Sequence, residues 1–345
     1  MSAIAVTAAT VESEAKHWDD YVVAHASATV YHTWAWRRIF ENAFGHETAY
    51  LLARRSDRIV GVLPLVAFDS RLFGRFMVSL PFVNYGGVIA DDDTVARALL
   101  DVASKTARAR RARHVELRHT TRVFPELPNR MHKVAMTLPV PSADDAWSSL
   151  DRKIRNQVRK AERSGLTLQS GGRELLEAFY SVFAQNMRDL GTPVYASDFF
   201  GNVLAEMGGR AVCFVVRHGN KPVAAAVTLA WRDAVEVPWA SSLKAYRTEC
   251  ANILLYWGIL QHVANAGARV LDLGRSSPDS GTYHFKRQWG AVPSPLCWEY
   301  AISPGFSIPD LGPSNPRFSA AIRTWQRLPL WFTTAVGPRI VRSIP

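Results

Sequence analysis

YLLARRSDRIVGVLPLVAF, residues 50–68, and CFVVRHGNKPVAAAVTLAW, residues 213–231, follow one pattern, and this pattern decides the fold. Each copy is a run of β-forming residues, a short polar turn and a second β-forming run, which predicts a β-hairpin. The copies align without a gap over 19 positions, although only three positions are identical, Arg54/Arg217, Val60/Val223 and Ala67/Ala230. The sequence therefore predicts one structural unit that occurs twice.

A second pair of similar segments follows the hairpins. ARRARHVELR (109–118) and NAGARVLDLG (265–274) each end a predicted helix and continue into a short strand that contains one acid, Glu116 or Asp272. The helices before them have apolar residues at three- and four-residue steps. Each half thus reads helix, hairpin, strand, helix, strand. Two such mixed α/β units fit a chain of 345 residues, which is too long for one ordinary core.

Prolines and small polar residues make 138–147 the predicted connection between the halves. The first domain is expected over 1–140 and the second over 141–303. The C-terminal tail, 304–345, has five arginines and no acid from residue 317 onward. We expect it to pack back with the first domain as a basic helix, and a helix lying on anionic lipid is the alternative.

Composition and charge limit the class of protein. Hydrophobic residues make up 48% and charged residues 21%, as in folded globular proteins, and the net charge is +11. This charge fits either a basic solvated surface or a polyanionic partner: tRNA, a nucleotide-linked donor or a phospholipid surface. Three scattered cysteines indicate a reducing compartment, and no residue spacing predicts a metal site. With no signal peptide or spanning segment recognisable, a cytoplasmic location is expected.

LDRKIRNQVRKAERSGL, residues 150–166, has six Lys or Arg against two acids. On a helix, Arg152, Arg155 and Arg159 share one face and Arg163 lies close to it. A solvated face is the ordinary interpretation of such a run. Because there are too few acids to pair with the cations, a phosphate or tRNA contact is the other interpretation.

Three loops combine polar side chains with glycine, proline or paired serines: NYGG (84–87), NMRDLGTPVY (186–195) and WASSLKAYR (239–247). Such loops suit substrate contact, but they also suit ordinary turns. Trp239 and Ser241 are candidates to act near a carbonyl oxygen, and Asp189 or Asp91 is a candidate weak base. The candidate substrate-binding residues of these loops are Asn84, Tyr85, Arg188, Tyr195, Ser242 and Arg247. Neither serine lies in a G-x-S-x-G motif, so no serine nucleophile is predicted.

GRSSPDSGTYHFKRQWGA, residues 274–291, places Lys286 among aromatic residues after a predicted strand. We expect the lysine stem to pack on Tyr283, Phe285 and Trp289 and the ammonium to remain free to meet an anion. A lysine in a salt bridge at the strand edge is the alternative. The further candidate substrate-binding residues here are Arg275, Ser276, Tyr283 and Arg287.

Taken together, NYGG, RNQVRKAERSGL, NMRDLGTPVY, WASSL and LDLGRSSPDSGTYHFKRQWGA make the chain resemble the FemAB (FemABX) family over roughly residues 20–303. The likeness is greatest to the FemAB-like proteins associated with exosortase (PEP-CTERM) and exopolysaccharide gene clusters. The resemblance implies an α/β fold of two tandem GNAT (acyl-CoA N-acyltransferase-like) domains, each a mixed twisted sheet flanked by helices.

The resemblance also implies a chemistry. Characterised FemABX members look like aminoacyl-tRNA-dependent transferases that move an amino acid onto an amine of a peptidoglycan precursor. The family has a lysine in an aromatic-Lys motif near the end of the second domain, which Phe285-Lys286 matches. Lys286 is therefore expected to stabilise charge near the reacting ester. The corresponding first-half segment, RHTTRVFPEL, has no such pair, which places the expected reaction in the second domain. Trp239 departs from the tyrosine that cell-wall members tend to have.

The expected function is an acyl or aminoacyl transferase acting on an amine of a cell-envelope or exopolysaccharide precursor. Its donor is expected to be an aminoacyl-tRNA, without a tightly bound cofactor, because RIVGVL (58–63) and RDLGTP (188–193) only approach the acetyl-CoA motif [RQ]-x-x-G-x-[GA]. Two alternatives stay open: an acyl-CoA- or acyl-carrier-protein-dependent N-acyltransferase, and a non-catalytic GNAT pair that binds nucleic acid or serves in assembly. A peripheral contact with the inner face of the membrane is part of the expectation.

Overall fold

A computed structural model describes residues 3–70, 73–308 and 319–344, which form two compact units. The first unit runs to His132 and resumes at Pro295. The second unit begins at Lys133, runs to Ser294 and includes the C-terminal helices up to Val341. Within the described ranges no helix has both the length and the apolar character that crossing a bilayer needs.

The described strands and helices follow one another as the sequence predicted, helix before hairpin and hairpin before strand in each unit. In chain order the strands are β1 Ile4–Ala9, β2 Glu47–Thr48, β3 Tyr50–Arg55, β4 Arg58–Leu63, β5 Val66–Ser70, β6 Gly74–Val78, β7 Ile89–Ala90, β8 His114–His119, β9 Asn129–Arg130, β10 Val134–Pro139, β11 Leu166–Gly171, β12 Ala211–His218, β13 Lys221–Trp231, β14 Ala234–Ser242, β15 Val270–Ser276, β16 Val292–Pro295 and β17 Cys297–Ile302. The helices are α1 Ala15–Ala24, α2 Ala35–Phe44, α3 Asp93–Ala109, α4 Arg152–Arg163, α5 Leu176–Leu190, α6 Ser197–Met207, α7 Ala251–Asn265, α8 Gly281–Arg287, α9 Ser319–Arg327 and α10 Leu330–Val341.

Both predicted hairpins form, with the same turn and the same irregularity. β3 pairs with β4, and β12 with β13, each antiparallel around a two-residue turn. The first turn residue has positive φ in both, +52° at Ser56 and +56° at Gly219. In each hairpin the register shifts once, which leaves Val60 and Val223 as the extra residue of a bulge. Because these valines are equivalent in the sequence repeat, the repeat is a structural one.

The second pair of similar segments also has equivalent structure. β6 runs parallel to β8, and β14 runs parallel to β15. Parallel neighbours need a crossover connection, and helix α3 or α7 provides it. Glu116 and Asp272 both occupy the last paired position, opposite Val78 and Glu236 respectively. The two halves therefore place an acid where their parallel strands stop pairing.

Pro64 makes the sheets of the two units differ. The second strand of the first hairpin is divided into β4 and β5 around Pro64, because proline has no N–H to donate to the ladder. The first unit thus has a four-stranded sheet, β1-β3-β4-β7, and a six-stranded sheet, β2-β5-β6-β8-β17-β9. In the second unit β13 is continuous, and one seven-stranded sheet has the order β11-β12-β13-β14-β15-β10-β16.

The unit boundaries differ from the predicted domains 1–140 and 141–303. β10, expected in the first domain, pairs antiparallel with β15 in the second unit's sheet. β17, expected in the second domain, pairs antiparallel with β8 and β9 of the first unit. Each of β8 and β15 has a parallel neighbour on one edge and needs a partner on the other. The hydrophobic pattern of a strand does not state which sheet it joins.

Helices cover both faces of the second unit's sheet. α5 contacts β13 and β14, whereas α7 contacts β11, β12 and β13. α7 is apolar on nearly all sides and contributes residues from Ala251 to Ala264 to the core of this unit. A Cβ at Gly258 would lie 1.9 Å from the Leu168 side chain, so glycine permits the close approach of α7 to β11.

The C-terminal tail forms two helices rather than one, and they pack on α5 of the second unit rather than with the first. Pro329, which cannot continue a helix interior, lies between α9 and α10. A Cβ at Gly191 would lie 2.5 Å from Ile322 of α9, and one at Gly337 of α10 would lie 2.9 Å from the Val194 backbone. Part of the expected helix, 309–318, lies outside the described residues.

Candidate functional site

The second unit's sheet opens between β14 and β15. Their parallel pairing comprises three positions and ends at Glu236 and Asp272. Beyond this point β14 stays paired with β13, and β15 pairs with β10, opposite Ala135 and Val134. The two strands therefore separate toward their carboxyl ends. Alternate backbone N–H and C=O groups of β14 point into the opening, where no ladder partner uses them.

Asp272 organises the turn of backbone at the closed end of this opening. Glu236 and Asp272 are both buried, with 7% and 8% of their surface exposed. An oxygen of the Asp272 carboxylate accepts a hydrogen bond of 2.8 Å from the Gly274 N–H. Gly274 has φ +73°, a conformation that favours glycine. This local turn orients the carbonyl groups that follow it.

Lys286 binds those carbonyl groups. It lies on α8, which begins at the N-cap Ser280, whose hydroxyl accepts from the Tyr283 N–H at 3.2 Å. The Lys286 ammonium donates to the carbonyl oxygens of Gly274 at 3.0 Å and Arg275 at 2.9 Å, and the residue is 7% exposed. An ammonium has three N–H donors, and in the part of the chain that the structure describes two of them are used, which leaves one for a ligand.

Burial lowers the pKa of Lys286 to about 8. The carboxylates of Asp272 and Glu236 act in the opposite direction and raise this pKa, while the guanidinium of Arg275 lowers it. With these causes balanced, the lysine is mainly cationic at neutral pH. The protein thus holds a partly desolvated positive charge near the point where β14 and β15 separate.

The aromatic neighbours of Lys286 do not enclose it as predicted. Phe285 and Trp289, four residues apart on one face, both pack against Tyr256 of α7, with ring centroids 4.9 and 6.1 Å away. Lys286 lies on a different face of α8, because successive helix residues are about 100° apart. The aromatic rings therefore fix α8 to α7, and the ammonium is bound to backbone oxygens rather than free.

On β14, Trp239 and Ser241 point to the side of α5 and α6. Trp239 is 5% exposed, and its ring meets Phe199 and Phe200 edge-on at 5.4 and 5.3 Å. Ser241 is 4% exposed and accepts a 3.0 Å hydrogen bond from the Asn186 side chain of α5. The side chain of Ser242, the next residue, points to the opposite face of the sheet, because successive side chains of a strand alternate. Trp239 is thus a packing residue of this face.

The carboxyl end of α5 contains the other predicted residues of this region. The Arg188 guanidinium donates to one oxygen of Asp189 at 2.7 and 3.0 Å, so the candidate base already has a cationic partner. The Tyr195 carbonyl accepts a 2.9 Å hydrogen bond from the Tyr180 hydroxyl, and its ring stacks on Phe183. These contacts order the segment between α5 and α6.

Four remaining candidates flank β15 and α7. Ser276 is 4% exposed, and its hydroxyl has no hydrogen-bond partner among the described residues. The Arg287 guanidinium donates to the Ala291 carbonyl at 3.0 Å. Tyr283 is half-buried on α8, and Arg247 is exposed in the turn before α7. Of these four, Ser276 directly follows Arg275, whose carbonyl oxygen accepts from the Lys286 ammonium.

Asn84, Tyr85 and Asp91 belong to the first unit. Asn84 and Tyr85 are each 6% exposed, and Asp91 accepts from the Tyr21 hydroxyl and the Arg58 guanidinium, both at 3.0 Å. The loop that contains them lines a cavity of about 250 Å³ in the first unit.

The paired glycines of this loop admit His119, which the sequence analysis missed. A Cβ at Gly87 would lie 2.2 Å from the His119 ring. His119 Nε2 accepts from the Val88 N–H at 2.9 Å, and Nδ1 lies 2.6 Å from the fully buried Glu299 carboxylate. Since Nε2 is an acceptor, the proton is on Nδ1 and is donated to Glu299. The glycines therefore serve the packing of the protein itself.

The basic helix α4 has an apolar side and a charged side. Ile154, Val158 and Ala161 are buried, and the Arg159 guanidinium lies 5.3 Å from the Trp147 ring. No Lys or Arg of α4 has an ion-pair partner among the described residues. A surface groove of about 560 Å³ is lined by Asp151, Arg152, Lys153, Asn156, Gln157, Lys160 and Arg163. Arg152 and Arg163 thus share a surface that excludes Arg155 and Arg159.

Other functional residues were also missed by the sequence analysis. Glu236, Asp272 and Asn186 hold or bias the residues at the opening between β14 and β15, and only the Asp272 acid had been noted, as part of a strand. The repeat gave a signal for Asp272, because Glu116 and Asp272 occupy equivalent positions, but it gave none for Glu236 or Asn186. Within the described ranges no three His, Cys, Asp or Glu side chains come together as a metal site would require.

Comparison with known proteins supports the fold of both halves. A model described as "Acetyltransferase (GNAT) domain" matches residues 148–287. FemX has a TM-score of 0.62 at 14% identity, with 87% of this chain and 97% of that chain covered. The C-terminal domain (DUF2156) of a putative lysylphosphatidylglycerol synthetase from Agrobacterium fabrum has a TM-score of 0.56 at 12% identity, with coverages of 84% and 91%.

A third similar structure is a tandem GNAT protein from the clavulanic acid biosynthesis pathway. Its TM-score is 0.53 at 12% identity, with 86% of this chain and 97% of that chain covered. No curated protein matches the chain by sequence. At these identities the similar structures share a fold with this chain, and the third is described as a tandem GNAT protein, which agrees with the two units that the internal repeat predicted.

Proposed function

We infer the function from two findings: the chain has the fold of FemX and of a tandem GNAT protein, and residues 148–287 match an acetyltransferase (GNAT) domain model. We propose that it transfers an aminoacyl or acyl group from an activated donor to an amine of a cell-envelope or exopolysaccharide precursor. The observation behind this proposal is the Lys286 ammonium, buried and bound to two carbonyl oxygens beside the opening between β14 and β15.

The proposed reaction needs stabilisation of an oxyanion. The acceptor amine attacks the donor carbonyl, a C–N bond forms, and the carbonyl oxygen becomes negative. The remaining N–H of Lys286 and backbone N–H groups of β14 are suited to stabilise this oxygen, and a donor of this kind contributes about 10²–10³-fold in rate. The C–O or C–S bond to the donor then breaks, and the leaving oxygen or sulfur takes the proton lost by the amine. Asp189, held by Arg188, is a less suitable base than this leaving group.

We favour an aminoacyl-tRNA-type donor over coenzyme A. A CoA pyrophosphate would bind at a helix N-terminus that is open to anions, and the helix that follows β14 is α7, which begins at Ala251. Glu249 lies two residues before it with one carboxylate oxygen buried, and a carboxylate repels phosphate. The cations of α4, which lack ion-pair partners among the described residues, are suited to the phosphodiester backbone of RNA. We assign Arg152 and Arg163 of the groove to this contact, with Arg155 and Arg159 beside it.

Replacement of Lys286 tests the proposed chemistry. Purified protein is screened with charged tRNAs, acyl-CoAs and acyl carrier proteins against amine acceptors, and products are read by mass spectrometry. With the donor and acceptor that give a product, Lys286→Met is expected to lower kcat by about 10²–10³-fold while leaving the melting temperature near that of the wild type. Lys105→Met on the exposed side of α3 is the matched control. Unchanged turnover by Lys286→Met would remove the lysine from the mechanism.

A second candidate function rests on α4 alone. Its cations, which have no ion-pair partner within the described ranges, also suit a GNAT pair that binds nucleic acid without catalysis. RNA binding by the Arg152→Ala/Arg163→Ala variant distinguishes the two. Loss of RNA binding together with loss of transfer supports the enzyme, whereas RNA binding without any consumed donor supports the binding module.

We also propose a peripheral contact of the C-terminal helices with an anionic membrane. Trp331 of α10 is 72% exposed, and residues 319–344 contain four arginines and no acid. An exposed indole beside arginines suits the interface of a bilayer. Vesicles containing phosphatidylglycerol are expected to sediment the wild type, and Trp331→Ser is expected to reduce this. Equal sedimentation with neutral phosphatidylcholine vesicles would argue against the contact.

A further inference from the structure

Two cations, Lys133 directly before β10 and Arg275 on β15, lie next to each other. Val134 faces Ser276 and Ala135 faces Arg275 in the antiparallel pairing of these strands. The same register puts Lys133 opposite Ser277. Residues two positions apart on a strand point to one face, so Lys133 and Arg275 are diagonal neighbours on that face. Ala135, the residue directly opposite Arg275, has a small side chain.

The contacts of Lys133 confirm this placement. Its ammonium donates to the Ser277 hydroxyl at 2.6 Å, a neutral partner, and the side chain is half-buried. Burial and the guanidinium of Arg275 both lower the pKa of Lys133, and no carboxylate is among the causes that act on it. The carboxylates of Asp272 and Glu236 act on Lys286 instead. The charge that lowers the pKa of Lys133 is therefore the positive charge of Arg275, on the same face.

We propose that Lys133, Arg275 and the Ser277 hydroxyl form a subsite for a phosphate group of a substrate, next to the reaction centre at Lys286. A planar guanidinium and an ammonium together fit the several oxygens of phosphate, and a hydroxyl can donate to a third oxygen. That the phosphate belongs to a substrate rests on the proposed function. Two sources have this chemistry: a phosphodiester of an RNA donor and a phosphate of a nucleotide- or lipid-linked acceptor.

Binding of inorganic pyrophosphate to the full chain tests the subsite without turnover. Isothermal titration is expected to give a measurable Kd for the wild type and a Kd at least about tenfold weaker for Lys133→Met, because a charge-assisted hydrogen bond is lost. Lys133→Arg is expected to retain most of the affinity, and Lys105→Met on α3 is expected to bind like the wild type. Acetate in place of pyrophosphate is expected to bind far more weakly.

Three outcomes would overturn the subsite: no binding of pyrophosphate by the wild type, equal Kd values for the wild type and Lys133→Met, or acetate binding as tight as pyrophosphate. If circular dichroism shows that Lys133→Met is unfolded, Ser277→Ala takes its place. This variant removes the hydroxyl that orients Lys133 and is expected to weaken pyrophosphate binding several-fold, whereas an unchanged Kd contradicts the proposal.

Competition identifies the source of the phosphate. A short RNA hairpin ending in CCA and a uridine diphosphate are each titrated against bound pyrophosphate. Displacement by the hairpin at lower concentration supports the donor, and displacement by the diphosphate supports the acceptor. The test also separates this subsite from the proposed function. Pyrophosphate binding that depends on Lys133, with no donor consumed, leaves the subsite standing alone; transfer activity with no pyrophosphate binding leaves the function standing alone.

Discussion

At the scale of single residues, Lys286 joins the fold to the proposed chemistry. Its ammonium is bound to the carbonyls of Gly274 and Arg275, and those carbonyls are oriented by the Asp272 hydrogen bond to the Gly274 N–H. The charge of the lysine is thus set by burial on one side and by the Asp272 and Glu236 carboxylates on the other. Two predictions follow from this arrangement.

Transfer activity is expected to fall above pH 8, while the contribution of Lys286 to the free energy of unfolding rises. The pKa of Lys286 is about 8 in the folded protein against 10.5 ordinarily, so the cation is lost as the pH rises through 8. Between these two values the unfolded chain binds more protons at this site than the folded chain, and stability increases with pH over that window. kcat/KM and urea unfolding are measured from pH 6.5 to 10.5, with Lys286→Met as the reference for stability. Activity loss that tracks unfolding contradicts the prediction.

Asp272→Asn is expected to move the alkaline limb of the pH–rate profile to lower pH. The Asp272 carboxylate raises the pKa of Lys286, and asparagine keeps an acceptor for the Gly274 N–H but has no charge. The lysine then loses its proton below pH 8. Asp279→Asn, at an exposed position of the nearby loop, is the matched control and is expected to leave the profile unchanged. An unshifted limb in Asp272→Asn would show that the carboxylate does not set the charge of Lys286.

The sequence made Lys286 a candidate, through an aromatic-Lys pair that occurs in only one half of the repeat, but it did not predict the environment of this lysine. The partners of its ammonium are backbone carbonyls after Asp272, and backbone groups have no signature in a list of side chains. Lys133 was missed for a related reason. Its neighbour Arg275 is 142 positions away in sequence, and only the antiparallel register of two strands brings them together.

At the scale of elements, the hairpins and the C-terminal helices show what local pattern can and cannot predict. The polar turns between β-forming runs predicted both hairpins, since turn chemistry is local. The number of tail helices depended on Pro329, and glycine permits their close approach at two points, the end of α5 and Val194 after it. Helix periodicity indicates which face is apolar but not which partner covers that face.

Gly191→Ala is expected to destabilise the second unit by about 1–3 kcal/mol, because alanine is strained at φ +78° and its Cβ would lie 2.5 Å from Ile322. The measurement is the melting temperature by circular dichroism. Gly209→Ala is the control, since nothing lies within 4 Å of a Cβ there and its φ is not positive. An equal melting temperature for both variants would mean that α9 does not pack against the end of α5.

At the scale of the whole molecule, the two units use equivalent acids differently. In the second unit Asp272 supports a lysine site. In the first unit Glu116 forms a buried 2.7 Å ion pair with Arg118, whose guanidinium lies 4.4 Å from the Trp298 ring. The acid of the first unit is thus neutralised by an arginine, whereas the acid of the second unit acts on Lys286, which is consistent with a single reaction centre in the second unit.

Glu116→Ala is expected to destabilise the protein by about 3–5 kcal/mol, because it leaves the Arg118 charge buried without its carboxylate. The double variant Glu116→Leu/Arg118→Leu is expected to recover most of this loss, since a pair of apolar residues leaves no buried charge. Unfolding by urea measures both. If the single and double variants are equally destabilised, the ion pair is not the source of the effect.

The pairing of β17, a late strand of the chain, with β8 of the first unit has a consequence during synthesis on the ribosome. Glu299 of β17 accepts hydrogen bonds from the Val123 and Phe124 N–H groups and from His119, residues made about 175 to 180 positions earlier. At about 5–20 residues per second, the amino-terminal unit waits on the order of ten seconds or more for the strand that completes its sheet. During this interval the edge of β8 is open to other chains. We expect the nascent protein to depend on chaperones until nearly the whole chain has left the exit tunnel.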